Sequence, residues 1–348
     1  MHKVDTRSPL AHALPFLREV NQMTLPTLGL DIAKDKFDAA LLHNDQLKQH
    51  VFSNDAKGFR QLATWLTKAK ATQVHACLEA TGTYGEALAQ FLYDAKHTVS
   101  VVNPVMVKGF AHSELLRTKT DKTDAALLAR FCLKQNPRAW TPPSPEIREL
   151  QALLRRLESL NQMHQMEANR VSSGITSPTV QASVQTTLEF LEREIRQIKK
   201  QIHAHLEQHP ELKRQRDLLI SIPGIAEQTA AMLLAEFRDI PSFESAREMA
   251  AFAGLTPKHR QSGSSVHGKS RLDKMGAARI RKALYMPAIV ALRYNAVIQT
   301  FGERLRTAGK HSLVIIAAAM RKLIHLAYGV LKSGQVFDPD WASRTIGA

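Results

Sequence analysis

The stretch TLGLDIAKDKFDAALL, residues 27–42, carries the strongest indication of the fold. Its apolar residues form two strand-like runs separated by the polar break KDK. Asp31 lies inside the first run, and Glu79 follows a further apolar run in VHACLEATG at residues 74–82. We therefore predict that each of these two carboxylates stands where a strand emerges from a buried core.

Two further carboxylates, Asp121 and Asp124, stand three residues apart in RTKTDKTDAALLARFC, residues 117–132. That spacing places both on one face of a helix, close enough to share a cation. Acidic residues near a helix N-terminus also interact favourably with the helix dipole, so a structural role is the alternative at each position. The four carboxylates together predict a site for a divalent metal ion beside a nucleic-acid phosphate.

Residues 25–142 alternate strand-like and helical patterns. Three strand-like runs come first, and helical and strand-like segments then alternate as far as TVSVVNP at residues 98–104. This succession predicts an α/β domain with a mixed sheet covered by helices. The Gly-Leu-Asp start of its first strand resembles an RNase H-like fold. Residues 1–24 are expected to form an N-terminal extension without regular structure.

A second region, residues 143–210, follows the proline-rich segment TPPSPE. Apolar residues recur there at alternating spacings of three and four. They are Ile147, Leu150, Leu154 and Leu157 in one segment and Leu188, Leu191, Ile195, Ile198 and Ile202 in the next. The pattern predicts two long helices, which form either an antiparallel hairpin within one subunit or a dimerising coiled coil.

The third region, residues 211–348, shows helical patterns throughout, and we predict a wholly helical C-terminal domain. Two of its helices are joined by IPGI at residues 222–225. This turn resembles a helix-hairpin-helix element, whose backbone N–H groups can hold a DNA phosphate. Ala226 replaces the second glycine that usually strengthens such a motif, so a plain helix turn is the alternative.

Charge points to a polyanionic partner. The chain has 47 Lys and Arg residues against 32 acidic residues, a formal net charge of +15. A membrane is the competing polyanion, but we find no apolar run of about 18 residues in the sequence, so nucleic acid is favoured. The two cysteines, Cys77 and Cys132, lie in apolar stretches and are expected to be reduced thiols of a cytoplasmic protein. The scattered histidines lack zinc-ligand spacing.

The basic residues are densest between Lys258 and Lys282, where eight face a single acidic residue. Such an imbalance indicates contact with the phosphate backbone. The candidate contacts are Lys258, Arg260, Lys269, Arg271, Arg279, Arg281 and Lys282. The same segment contains the serine-rich stretch SGSSV, beginning at Ser262, which its glycines predict to be a loop. Composition alone does not distinguish a nucleophilic serine there from an ordinary loop residue.

Several long blocks carry a family resemblance. In this order, GLDIAKDKFDAAL, LEATGTYGEALAQFLYDA, IPGIAEQTAAMLLAE, FAGLTPKHRQSGSSVHG and RKALYMPA resemble the insertion-sequence-110 family of DEDD transposases. The resemblance extends over residues 27–335, nearly the whole chain. It implies a RuvC-like nuclease domain, a helical coiled-coil spacer and a helical C-terminal transposase domain.

The resemblance also implies roles for residues and partners. The family's acidic tetrad corresponds to Asp31, Glu79, Asp121 and Asp124, which would hold Mg²⁺ or Mn²⁺, and its nucleophilic serine corresponds to Ser262. Similar members are recombinases that act on donor and target DNA under the direction of a bridge RNA. They assemble as dimers or tetramers, with sites composed from different protomers.

Two other classes of function remain open. A RuvC-like junction resolvase or nuclease would use the tetrad to activate water, and Ser262 would then only contact phosphate. A non-enzymatic scaffold for RNA or DNA would use the acidic residues structurally. A covalent protein–DNA adduct separates the recombinase from the nuclease, and metal-dependent cleavage excludes the scaffold.

Overall fold

The computed structural model describes residues 25–80, 82–114, 121–174, 177–237, 240–262, 266–273 and 275–340. By its internal contacts the chain divides into two units, Met1–Pro142 and Pro143–Ala348. The expected N-terminal extension, residues 1–24, lies outside the described residues.

The first unit is a mixed α/β structure, as predicted. Its elements in chain order are β1 (Thr27–Ile32), β2 (Lys36–His43), β3 (Gln46–Ser53), α1 (Ala56–Lys68), β4 (His75–Glu79), α2 (Glu86–Asp94), β5 (Thr98–Val102), α3 (Pro104–Ser113) and α4 (Asp121–Gln135). The strands form one sheet in the order β3-β2-β1-β4-β5. β2 is antiparallel to both β1 and β3, whereas β1, β4 and β5 are parallel to one another.

Helices cover both faces of this sheet. Because successive strand residues point to opposite faces, Leu28 and Leu30 of β1 lie on one side, in a core shared with α1 and α2. Cys77 of β4 and Val102 of β5 lie on the other side and pack with residues of α3 and α4. The positions of the helices therefore assign one face of the sheet to α1 and α2 and the other to α3 and α4.

Side-chain caps set where several helices begin. The Asp55 carboxylate accepts a hydrogen bond of 2.7 Å from the backbone N–H of Gly58 at the start of α1. At the start of α3, Asn103 accepts one of 2.9 Å from the N–H of Val105. Such caps satisfy backbone donors that have no partner inside the helix.

The second unit is mostly helical. Its helices are α5 (Pro145–Ser172), α6 (Pro178–Gln208), α7 (Pro210–Ile220), α8 (Glu227–Phe237), α9 (Ala246–Phe252), α10 (Ala278–Tyr294), α11 (Ala296–Thr307) and α12 (Ser312–Ser333), with a 3₁₀ turn at Ile240–Ser242. α5 and α6 pack against each other within the chain. The beginning of α5 and the end of α6 belong to the main hydrophobic core of this unit. There, Leu150, Leu154 and Leu206 are buried together with residues of α7, α8, α10 and α12.

α12 lies in this core. Ala319, Leu323, Ile324 and Ala327 are completely buried. Within the described ranges, α12 is the one helix long and apolar enough to cross a membrane, with a mean hydropathy of 1.6 over its best window. The prediction that no such run exists is therefore too strict, although Arg321 and Lys322 interrupt the apolar residues.

The prediction of a wholly helical C-terminal domain is wrong at one place. Residues Pro257–Ser262 form β6 and Val266–Leu272 form β7, which pair as an antiparallel hairpin. Ser262 is the last residue of β6, not part of an irregular loop. A proline and two glycines disfavour helix here, and the backbone groups are paired between the two strands instead.

Candidate functional site

β1 presents alternate residues to α4. Gly29 lies directly beneath this helix, because a methyl group added to it would overlap the carbonyl oxygen of Ala125. Two residues earlier, the Thr27 hydroxyl donates a hydrogen bond of 3.0 Å to the carbonyl oxygen of Ala129. These two contacts show that α4 runs antiparallel to β1. Asp31, two residues further along the same side of the strand, is therefore placed towards the first turn of α4.

The dimensions of strand and helix agree with this placement. Two strand residues advance about 6.6 Å, and four helix residues advance about 6 Å. The step from Gly29 to Asp31 therefore corresponds to the step from Ala125 back to Asp121, where α4 begins. Asp124 immediately precedes Ala125 in the same turn. The fold thus brings Asp31 to the end of the helix that carries the other two aspartates. The Asp121 side chain lies outside the described residues.

Glu79 reaches the same edge of the sheet from β4. Leu30 is in register with Leu78 in the parallel pair β1–β4. Asp31 and Glu79 are the next residues of these two strands, so they lie side by side. Cys77, two residues before Glu79, packs in a cluster with Leu128 and other residues of α4. By strand alternation, Glu79 lies on the same face.

Asp31 and Glu79 therefore share one face and one end of the sheet, and the first turn of α4, which carries Asp124, lies over that end. Among the residues that the structure describes, no three His, Cys, Asp or Glu side chains converge on a position for a single ion. The donors along this edge are carboxylates, the oxygen ligands that Mg²⁺ and Mn²⁺ prefer. Their chemistry fits a hard divalent cation, and they are arranged along an edge rather than around one point.

A further carboxylate, Asp38 of β2, was absent from the sequence expectations. It is the direct partner of Asp31 in the antiparallel pair β1–β2, and it is 5% exposed. The Lys36 ammonium lies 3.5 Å from its carboxylate. The available signal was a charged residue in the otherwise apolar run FDAALL.

The two cysteines lie beneath this edge. Both are free and buried, as expected. The Cys132 thiol on α4 donates a hydrogen bond of 3.4 Å to the carbonyl oxygen of His75 on β4. A hydrogen bond with Cys132 and burial raise the pKa of the Cys77 thiol. The Cys77 thiol therefore stays neutral and packs α4 onto the sheet.

Ser262 and four of the predicted phosphate contacts share the β6–β7 hairpin. Lys258 is paired with Arg271 across the two strands, and Arg260 is paired with Gly268, next to Lys269. The side chains of residues 259–271 lie outside the described part of the chain. By sequence, this short hairpin concentrates positive charge around the serine. It belongs to the second unit, whereas the acidic tetrad belongs to the first.

The other three predicted phosphate contacts have partners inside the second unit. Arg279 donates to Glu158 at 3.2 Å and to Glu236 at 2.7 Å, and Lys282 donates to Glu158 at 2.9 Å. The Lys282 hydrogen bond is the largest influence that lowers the pKa of Glu158. Arg281 donates to two backbone carbonyl oxygens. These three cations attach α10 to its neighbours. The Lys282 side chain is nevertheless 69% exposed, whereas that of Arg279 is 30% exposed.

The IPGI turn joins α7 to α8 and packs on α10. Gly224 has a φ of +109°, and a methyl group there would approach the Ala291 side chain to 2.8 Å. The Asn295 amide donates a hydrogen bond of 3.3 Å to the carbonyl oxygen of Pro223. The glycine is thus required by the turn and by the neighbouring helix. Phosphate binding by this turn stays a prediction.

Comparison with known proteins identifies relatives of both units. A family profile described as a transposase of the DEDD IS110 type matches residues 28–177, and one described as the transposase IS116/IS110/IS902 family matches residues 216–303. The pilin gene-inverting protein of Moraxella bovis is 37% identical over 320 residues, which cover 91% of this chain and 98% of the relative. The transposase for insertion sequence element IS1328 of Yersinia enterocolitica is 24% identical over 353 residues, covering 89% and 98%.

Proposed function

The chain belongs to the IS110 family of transposases, enzymes that act on DNA, and from this premise we propose that it cuts and rejoins DNA through Ser262 with the help of a divalent metal ion. The observation that carries the proposal is the shared edge of Asp31, Glu79 and the first turn of α4. It matches the residue types and the order of an acidic tetrad, with Asp121 and Asp124 as the remaining members.

The topology of the first unit supports a RuvC-like, RNase H-type domain. The sheet order β3-β2-β1-β4-β5 with an antiparallel β2 places the first strand at the centre. A helix late in this unit lies across that central strand. The end of the central strand, which carries Asp31, then lies towards the helix turn that carries the other acidic residues, an arrangement that suits a metal-dependent nuclease domain.

The tetrad would hold Mg²⁺ or Mn²⁺. When bound, such an ion neutralises charge on a phosphate and makes its phosphorus more susceptible to attack. The residues of the chain have two tasks towards it. Asp31 and Glu79 would present carboxylates from the ends of two strands, and the close packing of α4 over Gly29 fixes where the helix turn that carries Asp124 lies relative to them.

Ser262 supplies the nucleophile in this proposal. Its hydroxyl oxygen forms a bond to phosphorus, the bond from phosphorus to one deoxyribose oxygen breaks, and the serine proton passes through solvent or a nearby base to that leaving oxygen. The product is a phosphoserine link to one DNA end and a free hydroxyl on the other. Attack by the hydroxyl of a second DNA strand reverses these steps and releases the serine, so that strands are exchanged without net hydrolysis.

Cationic residues of the hairpin assist by neutralising the phosphate backbone. Lys258, Arg260, Lys269 and Arg271 flank the serine in sequence, and Lys282 remains mostly exposed on α10. Cations around a phosphodiester lower the repulsion that an incoming nucleophile meets. Donor and target DNA are the proposed polyanions, and the protein is expected to act in the cytoplasm of its host.

Guide RNA and assembly are further parts of the proposal. The name of the Moraxella relative refers to inversion of a gene, and an inversion requires two junctions to be cut and rejoined together. A dimer or tetramer could bring Ser262 of one protomer to the tetrad of another, since the serine and the tetrad lie in different units of the chain.

A bridge RNA would select the DNA by base pairing. Sequencing the RNA that co-purifies with the protein tests that part.

Trapping of a covalent adduct tests the nucleophile. Wild-type protein incubated with donor DNA and Mg²⁺ is expected to form a protein–DNA adduct that survives denaturation. Ser262→Ala is expected to lose the adduct, whereas Ser270→Ala in the same hairpin keeps it. Metal-dependent cleavage without an adduct in the wild type would instead identify a nuclease that activates water.

A further inference from the structure

We propose that a cluster of three cations beside the β6–β7 hairpin binds the phosphate backbone of the DNA on which the protein acts. The cluster consists of Arg247 on α9 and of Arg321 and Lys322 on α12, and we call it the α9–α12 cluster. It is separate from the cations of the hairpin and of α10. Its place in the reaction rests on the proposed function of Ser262.

α12 carries two members of the cluster in an otherwise apolar stretch. Arg321 and Lys322 lie four and three residues before His325, so each is a neighbour of this histidine on the helix surface. Leu323 and Ile324 are completely buried in the core, whereas Arg321 and Lys322 are half-buried. The two cations therefore lie at the edge of the core.

α9 adds the third member, since this helix packs against α12. Arg247 is exposed. Burial, and then the charge of Arg247, lower the pKa of Arg321. Burial also lowers the pKa of His325, and all three members of the cluster lower it further. The three cations are therefore close enough to act on one another and on the histidine among them.

The fold does not neutralise this positive charge. Among the residues that the structure describes, no carboxylate forms an ion pair with Arg247, Arg321 or Lys322. Glu248 follows Arg247 in the chain, but its carboxylate accepts a hydrogen bond of 2.8 Å from the backbone N–H of Glu244. Like charges held close together repel one another. A phosphate bound among them converts that repulsion into attraction, and the arginine guanidinium matches its geometry.

The cluster adjoins the base of the β6–β7 hairpin. Nη1 of Arg321 donates a hydrogen bond of 3.2 Å to the carbonyl oxygen of Leu255 and one of 3.3 Å to the Thr256 hydroxyl. Thr256 immediately precedes β6, and Lys258 is exposed two residues further along. Within the described ranges these bonds engage a single nitrogen of Arg321, and a guanidinium has five N–H donors. Arg321 can therefore hold the hairpin and also contact an anion.

This position suits the DNA that flanks the reacting phosphodiester. β6 has 6 residues and ends at Ser262, so at about 3.3 Å per residue the serine lies at most about 20 Å from Thr256. Phosphates recur along one strand about every 3.4 Å. A DNA strand with one phosphate at Ser262 therefore has others within reach of the cluster, about six nucleotides away. Because the family acts on DNA, DNA is the polyanion that fits this charge.

The salt dependence of DNA binding tests the inference. Full-length protein is titrated into a fluorescein-labelled DNA duplex at several KCl concentrations, and fluorescence anisotropy gives the dissociation constants. The double variant Arg247→Gln/Lys322→Gln is expected to lower the slope of log K against log salt by about 1.8, because each neutralised phosphate contributes about 0.9. Lys199→Gln/Lys200→Gln removes the same charge from the exposed surface of α6, and this matched control keeps the wild-type slope.

Arg321 requires a separate pair of variants, because it also holds Leu255 and Thr256. Arg321→Gln is expected to lower the slope by about 0.9, and Arg321→Lys, which keeps the charge, is expected to restore it. The melting temperature of each variant is measured in parallel. If both variants lose thermal stability and neither changes the slope, Arg321 is structural only and its assignment to the phosphate site is overturned.

The outcomes separate this inference from the chemistry of Ser262. An unchanged slope in the double variant, or an equal loss of slope in the α6 control, overturns the inference even when wild type forms covalent adducts. A lower slope in the double variant alone supports the DNA site, and a wild type without adducts then removes only the role of the serine. If the slope falls with an RNA duplex of the same sequence and not with DNA, the cluster holds RNA and the proposal is overturned.

Discussion

Gly29 and Ala125 are so close that a methyl group on Gly29 would overlap the carbonyl oxygen of Ala125 and approach the backbone of the following turn. This contact sets the distance between the central strand and α4. Asp31 lies two residues beyond Gly29, and Asp124 precedes Ala125, so the same contact controls the separation of the carboxylates.

Gly29→Ala is therefore expected to push α4 away from β1. Overpacking of this kind costs about 1–3 kcal/mol, and metal-dependent DNA cleavage should decline as the carboxylates separate. The midpoint of urea unfolding measures the first effect. Gly109→Ala in α3 is the control, because nothing lies within 4 Å of the added methyl group and alanine favours helix by up to about 1 kcal/mol. Equal stability of the two variants would contradict the packing described.

Asp121→Asn is expected to remove metal-dependent strand cleavage. Groups that merely support metal ligands change activity about 10- to 100-fold, so loss of a ligand should reduce cleavage at least about 100-fold. The initial rate of DNA cleavage at saturating Mg²⁺ measures the effect. Asp94→Asn should retain the wild-type rate, and full cleavage by Asp121→Asn would remove this residue from the site.

Glu207 gives the stability of the second unit an acid-dependent component. Hydrogen bonds from Lys213 and Arg216 hold the pKa of Glu207 at about 2, below the ordinary glutamate value near 4.5. Because the pKa is lower in the folded state, the stabilisation is complete above about pH 4.5 and is lost as pH falls towards 2. The melting temperature of Glu207→Gln should lie below that of wild type at pH 7 and approach it in acid. A difference independent of pH would refute this account.

Nucleic-acid binding should depend strongly on salt. Each cation that neutralises a phosphate releases bound counterions, so removal of one contact lowers the slope of log K against log salt by about 1. Lys258→Gln, at the base of the serine hairpin, is expected to show this change for DNA of any sequence. Lys200→Gln, on the exposed surface of α6, provides the comparison, and an unchanged slope for Lys258→Gln would argue against contact with phosphate.

The strands and helices of the first unit were predictable because their signals are local. The apolar run around Asp31 is formed by residues that are close together in the sequence. The same is true of the helical pattern after Asp121. The β6–β7 hairpin was missed because its polar strands lack an apolar face that would show in the sequence. Its serine could be singled out only through family resemblance.

Contacts between distant residues were beyond prediction. Lys282 donates a hydrogen bond to Glu158, which lies 124 positions away in the sequence. The sequence suggests that Lys282 is free to bind phosphate, whereas in the structure it attaches α10 to α5. Asp38 was missed for a similar reason. Its position opposite Asp31 comes from the register of β1 and β2, and no local pattern specifies which residue of one strand faces which residue of another.

The sequence by itself determined the order of the elements in the first unit, the excess of positive charge and the four acidic positions, because propensity, periodicity and charge are properties of neighbouring residues. The tertiary structure decided that Asp31, Glu79 and α4 meet at one edge of the sheet, and that Asp38 lies opposite Asp31. The physical reason is that strand register and the close approach at Gly29 fix distances between side chains that the chain alone leaves free.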